Sequence, residues 1–129
     1  MANSTRICPA GLGHTSIRHF TSGSFENSDV VVGTPGQLLS LVVSNKGSAL
    51  TLQLFDALSL PANSTVPSVI PILVPANTTV SVSFASGVSS KAWAGWAFNT
   101  GLVWAASTTQ GTLTVDATSS LWVDCRFVN

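Results

Sequence analysis

Hydrophobic and polar residues alternate in short runs along most of the chain, and glycine, proline, asparagine and serine separate the runs. Alternation with a period of two predicts β-strands with one buried and one exposed face. Residues 79–85 are the clearest case, because Val80, Val82 and Phe84 alternate with serine and threonine. No stretch has a convincing amphipathic helical period. The pattern therefore predicts an all-β protein.

About seven to nine strands are predicted after residue 29, and this number favours two packed antiparallel sheets, a jelly-roll-like β-sandwich. The predicted runs are 30–32, 37–44, 49–58, 68–74, 79–85, 93–98, 102–107, 111–117 and 121–128.

Turn chemistry and proline positions refine this picture. The turn at residues 45–48 predicts a hairpin between the runs that carry Leu39, Leu41 and Val43 and then Leu50, Leu52 and Leu54 on one face. Prolines 67, 71 and 75 surround the run at 68–74, and proline cannot donate a hydrogen bond to a sheet. That run is therefore predicted at a sheet edge or a bulge.

The first 29 residues lack any sustained period and are predicted to form an extended N-terminal arm, ahead of a sandwich domain at residues 30–129. Two interpretations stay open, a disordered terminus or an arm that becomes ordered against neighbouring subunits. Apolar anchors favour the second, and they are Ile7, Ile17, Phe20 and Phe25.

Charge is scarce and balanced, since five Lys and Arg residues match five Asp and Glu residues and only 8% of the chain is charged. Without a positive field, nucleic acid is an unfavourable partner. A net charge near zero also removes the repulsion that keeps small proteins apart, so we expect an assembly component. No secretory signal or membrane-spanning run is visible, so no membrane partner is expected and synthesis in the cytoplasm is predicted.

Residues that could carry catalysis do not form a recognisable site. His14 and His19 both fall in the predicted arm, and Asp116 and Asp124 are predicted on outward strand faces. Asp56 is expected where its strand leaves the core. Neither a metal-ligand spacing nor a nucleotide-binding loop is present, so we expect no cofactor, no metal and no enzymatic activity.

Cys8 and Cys125 are the two cysteines, and Cys125 is in phase with the inward residues Leu121, Val123 and Phe127. A disulfide between the two is possible by number, but a buried free thiol is favoured because it behaves as a small hydrophobic group.

Tryptophan placement gives the best candidate contacts. Trp122 shares the outward face of the last strand with Asp124 and Arg126, so Trp122 and Arg126 are predicted partner contacts. Trp104 is assigned to the core. Trp93 and Trp96 lie three apart and are predicted to face opposite ways.

Four segments carry a resemblance to a known class of proteins. They are GQLLSLVVSN at 36–45, LQLFD at 52–56, VPANTTV at 74–80 and GLVWAASTT at 101–109. Over about residues 30–128 the chain resembles small β-sandwich virion proteins of tailed bacteriophages, and most of all head decoration, or cement, proteins.

The resemblance implies a non-enzymatic structural protein that binds and stabilises the assembled phage head. Its implied partners are the major capsid protein and further copies of itself, often as a homotrimer, and its implied location is the outer capsid surface after synthesis in the host cytoplasm. An alternative stays open, a carbohydrate- or receptor-binding module of a phage tail or fibre, which would use exposed tryptophan faces.

Overall fold

The computed structural model describes residues 17–84 and 95–129, and within them it contains nine strands and no helix. The strands form two antiparallel sheets packed face to face, which confirms the predicted all-β sandwich. Their bounds are β1 Arg18–Thr21, β2 Ser28–Val32, β3 Gly36–Asn45, β4 Leu50–Phe55, β5 Ile72–Val74, β6 Thr79–Ser83, β7 Trp96–Phe98, β8 Leu102–Ser107 and β9 Leu121–Val128.

Strand order gives the sandwich its jelly-roll-like topology. The first sheet has the order β1-β9-β3-β6, with short β7 also paired to β3, and the second has the order β2-β8-β4-β5. Most connections cross from one sheet to the other, so strands adjacent in sequence usually face each other across the core. The two edges of the sandwich are therefore formed by β1 with β2 and by β5 with β6.

The predicted hairpin at residues 45–48 is wrong, because β3 and β4 belong to different sheets. Asn45 makes this crossover possible. Its side chain is 4% exposed, its Nδ2 donates to the carbonyl oxygens of Ser48 (2.7 Å) and Val74 (3.2 Å), and its Oδ1 accepts from the Gly47 N–H (2.8 Å). These bonds satisfy the backbone of a turn that joins two sheets rather than two paired strands.

The predicted arm boundary also needs correction. β1 pairs with β9 and β2 pairs with β8, so the sandwich begins well before residue 30. Within β1 only Phe20 packs against the core, while Arg18, His19 and Thr21 are exposed, and one apolar residue is too little to produce a period. Residues 1–16 and 85–94, with Ile7, Cys8, His14 and Trp93, lie outside the described residues.

The main core lies between the two sheets and holds most of the side chains that the alternation predicted to face inward. Leu121, Val123, Cys125 and Phe127 all face inward from β9, and Trp104 is fully buried. Each fully buried large apolar side chain contributes about 1.5–3 kcal/mol before chain entropy is counted. In β3 the prediction was wrong at one position, because a bulge between Leu38 and Ser40 buries Leu38 in place of Leu39.

A second, smaller core covers the outer face of the second sheet. Its members are Phe55, Val103, Ala105 and Leu113, so β4 and β8 are buried on both faces. Residues 111–117 were predicted as a strand with Leu113 and Val115 inside the sandwich. They instead form a loop with a single bridge from Val115 to Ser107, and this loop lays Leu113 over the sheet from outside.

Candidate functional site

Exposed apolar side chains concentrate in one part of the surface, the connection from β4 to β5 together with β5 itself. Seven large hydrophobic residues are exposed among the described residues, and five of them lie between residues 58 and 73. They are Leu58, Leu60, Val66, Ile70 and Leu73, and Ile70 is the most open at 82% exposure. Such a concentration is typical of an interaction surface, whereas isolated exposed hydrophobics are ordinary.

Three of these side chains border a concave site, which we call the apolar groove. It has a volume of about 710 Å³. Among the residues that the structure describes, the lining contains no charged side chain. It consists of Thr51, Val66, Pro67, Ser68, Val69, Ile70, Pro71, Leu73, Gln110 and Gly111. Predominantly apolar walls with a few polar groups are the usual lining of a binding site.

Proline placement explains why the groove forms beside β5. Pro71 and Pro75 flank β5 and leave only Ile72–Val74 to pair with β4. This confirms the predicted edge position but shortens the predicted strand at 68–74. Ile70 was expected to continue the alternation, and it instead precedes Pro71 outside the strand with its side chain in solvent.

One wall of the groove is fixed to the sandwich by backbone hydrogen bonds. The Ser68 N–H donates to the Leu54 carbonyl (2.9 Å), and the Ser64 N–H donates to the Leu113 carbonyl (2.7 Å). In return, the Leu113 N–H donates to the Thr65 carbonyl (2.8 Å). The connection is therefore held in place although it belongs to neither sheet.

The opposite wall, at residues 110–111, is held by Gln53. This side chain is fully buried in β4, and its Nε2 donates to the carbonyl oxygens of Thr109 (2.9 Å), Gln110 (3.0 Å) and Thr112 (3.2 Å). In the alternation of β4, Gln53 falls on the face opposite Leu50, Leu52 and Leu54, and that pattern does not reveal its burial. A buried glutamine that binds three carbonyls gives this loop a defined conformation.

The predicted contact Trp122 lies on the outer face of the first sheet, half-buried. Its ring meets Phe25 edge to face, with centroids 5.6 Å apart, and its Nε1 donates to Thr21 Oγ1 (3.2 Å). The Lys46 Nζ lies 4.6 Å from the centroid of the Phe25 ring, a cation–π distance. Trp122 and Phe25 are therefore partly covered by each other and by neighbouring side chains of the same chain.

The other predicted contact residues are scattered. Phe20 packs against the main core, Ile17 is half-buried just before β1, and Arg126 is exposed on β9 opposite His19. Ile7 lies outside the described residues. The structure does not bring these residues into one site, and their contact with a partner stays a prediction.

Beside Trp122 the outer face of the first sheet is polar. His19 Nε2 is hydrogen-bonded to Asp124 Oδ1, and Ser44 Oγ lies 2.8 Å from Thr79 Oγ1 across β3 and β6. Val42 is its one large exposed hydrophobic residue among those described, at 39% exposure. This face differs from the groove in both charge and polarity.

Asp56 lies directly after β4, where its strand was expected to leave the core, and its accessible carboxylate also has a structural role. Its carboxylate accepts backbone N–H bonds from Asn99 (2.7 Å), Thr100 (2.8 Å) and Gly101 (3.3 Å), at the turn between β7 and β8. These bonds, that from Asn99 most of all, lower the pKa of Asp56. The prediction that Asp116 lies on an outward strand face is wrong. Asp116 is 7% exposed, and its carboxylate accepts a hydrogen bond from the Thr118 N–H (2.9 Å).

Two further groups have shifted pKa values. Burial raises the pKa of Glu26, and the nearby carboxyl of Asp29 adds to the rise. Burial, with a smaller effect of Asp124, raises the pKa of the free thiol Cys125 to about 12. A thiol with so high a pKa is unreactive at neutral pH.

Within residues 17–84 and 95–129, no group of three or more His, Cys, Asp and Glu side chains is arranged to hold a metal ion. The same residues include no helix that is long and apolar enough to cross a membrane. No protein-family model matches the chain, and comparisons with curated proteins and with solved structures give no match either.

Proposed function

We propose that this chain is a non-enzymatic structural protein of a tailed-phage virion, and that it acts by binding the assembled capsid shell. The observation that carries the proposal is the concentration of exposed apolar side chains around an uncharged, well-anchored groove. An exposed surface of this kind is costly in water unless a partner covers it.

The fold and the acids support a contact role. Jelly-roll-like sandwiches occur in viral capsid proteins, and this analogy of fold supports the proposal. Asp56 and Asp116 both bond the backbone of turns, so these two acids serve the fold. The sequence resemblance to head decoration proteins points the same way.

The mechanism is thermodynamic linkage. A protein that binds the assembled shell but not the free subunits stabilises the shell, by about 2.7 kcal/mol per site at a free concentration one hundred times Kd. Many copies on one particle add their contributions. The rigid sandwich keeps the binding surface formed before contact, so little ordering cost opposes binding.

Co-sedimentation with empty shells of the cognate major capsid protein tests the proposal. We expect binding that saturates at a fixed number of copies per capsid subunit and raises the temperature at which the shells dissociate. Binding to glycans with no binding to shells would refute the capsid role and support the receptor-binding alternative.

A matched pair of variants sharpens this test. Val66→Lys places a charge at the rim of the groove, and Val42→Lys places one on the polar face of the first sheet; both side chains are exposed, at 69% and 39%. If the groove contacts the shell or organises the binding unit, Val66→Lys lowers occupancy and Val42→Lys does not. Equal occupancy for both variants would remove the groove from the proposal.

A further inference from the structure

We infer that the apolar groove binds a second copy of this chain, and that Leu58 and Leu60 of one copy fill the groove of the next. The inference deepens the proposed function, because contact through the groove would join copies into the unit that binds the shell. It rests on the proposed function for its biological setting, but its geometry is independent of any shell. It names the surface, the occupant and the residues of self-association.

The first reason to expect a second copy in the groove is the position of two exposed leucines. Leu58 and Leu60 are 58% and 40% exposed, lie on the same connection as the groove and do not line it. Each copy therefore presents two exposed leucines, which we call the leucine projection, and an apolar cavity on the same connection. A surface that carries both halves of a contact can form a closed symmetric dimer or ring.

Charge supplies the second argument. Between Asp56 and Lys91 the sequence has no charged residue, and none lies between Lys91 and Asp116. A charged partner would lose its hydration in the groove without gaining an opposite charge there. A second copy brings an equally uncharged surface, so the two meet without repulsion or unpaired charge.

The edge of the second sheet supplies the third argument. β5 is an edge strand, and such edges invite open-ended pairing into fibres. Here Pro71 and Pro75 remove backbone donors on both sides of three residues, which prevents an extended new ladder. Association at this edge is thereby limited to side-chain packing, which suits a closed assembly of defined size.

Light scattering on the purified full-length chain, over a range of concentrations, measures the association. We expect wild type to be oligomeric, Ile70→Lys and Leu58→Lys to raise Kd by about tenfold or more, and Val42→Lys to leave it unchanged. Because Ile70 and Leu58 are exposed, all three variants should unfold at the temperature of wild type when each is measured at a concentration low enough to be monomeric, where association adds no stability. A monomeric wild type, or a Val42→Lys effect equal to that of Ile70→Lys, would overturn the inference.

Mixing the two disruptive variants tests the pairing itself. The Ile70→Lys copy retains its leucine projection, and the Leu58→Lys copy retains its groove, so an equimolar mixture should regain part of the lost association. No regain would show that these residues do not contact each other. A monomeric wild type that still saturates shells would overturn this inference alone, whereas an oligomer that ignores shells would overturn the proposed function alone.

Discussion

The buried amide of Gln53 offers the sharpest test of how the groove is built. The substitution Gln53→Glu keeps the size of the side chain but replaces the amide nitrogen, which donates to three backbone carbonyls, by a carboxyl oxygen. An ionised carboxylate would face those carbonyl oxygens in a site with no solvent exposure. The variant must either bury an unpaired charge or take up a proton.

The free energy needed to protonate the introduced glutamate sets an upper limit on the loss of stability. Holding a glutamate of normal pKa near 4.3 neutral at pH 7 costs about 3.7 kcal/mol, and at pH 5 only about 1 kcal/mol. The protonated acid has one donor in place of two, which removes about 1 kcal/mol more. The expected loss of unfolding free energy is therefore about 4–5 kcal/mol at pH 7 and about 2 kcal/mol at pH 5, a large part of the 5–15 kcal/mol typical of a domain.

Urea unfolding followed by tryptophan fluorescence measures both values. The pKa of the introduced glutamate is raised in the folded state. The free-energy cost of keeping it protonated is therefore absent below the unfolded pKa and grows as pH rises toward the folded pKa. Gln110→Glu is the control, because Gln110 is exposed on the same loop, and it should change stability by less than about 0.5 kcal/mol. Equal effects of the two substitutions at pH 7 would refute the role given to Gln53.

Three further predictions concern Asp56, Cys125 and Gly101. Asp56→Asn should cost about 1–2 kcal/mol at pH 7, and because the folded pKa of Asp56 is lowered, the difference from wild type should vanish as pH falls through that pKa in urea titrations. Site-resolved mass spectrometry should find Cys125 unmodified by iodoacetamide at pH 8 until the protein is unfolded. Gly101→Ala should lower stability by about 1–3 kcal/mol because its Cβ would lie 2.6 Å from the Ala57 carbonyl oxygen, whereas Gly111→Ala, with nothing within 4 Å, should not.

Period-two alternation predicted the strands whose two faces differ. β9 alternates from Leu121 to Phe127 and was predicted at its observed bounds. β8 was also predicted at its observed bounds, although both of its faces are buried. The same signal failed where an irregularity shifts the phase, as at the bulge that buries Leu38 instead of Leu39. It also failed at Leu113, because a loop that covers a sheet from outside buries its apolar residue as a strand would.

Turn chemistry could not decide which strands pair. The residues at 45–48 suit a hairpin, yet the long-range bond from Asn45 Nδ2 to the Val74 carbonyl fixes a crossover between sheets, and sequence order alone does not reveal that bond. The candidate site shows the same limit. Prolines 67, 71 and 75 predicted an edge, but the groove also needs the loop at residues 110–111, which the buried Gln53 holds through a contact between residues far apart in sequence.

The proposed contact with a capsid can be observed by cryo-electron microscopy of shells mixed with the purified chain. We expect added density at symmetry-related positions on the outer surface of the shell. The nine-stranded sandwich should fit this density with its groove buried in a protein contact. Shells that carry no added density at saturating protein would contradict the proposed contact.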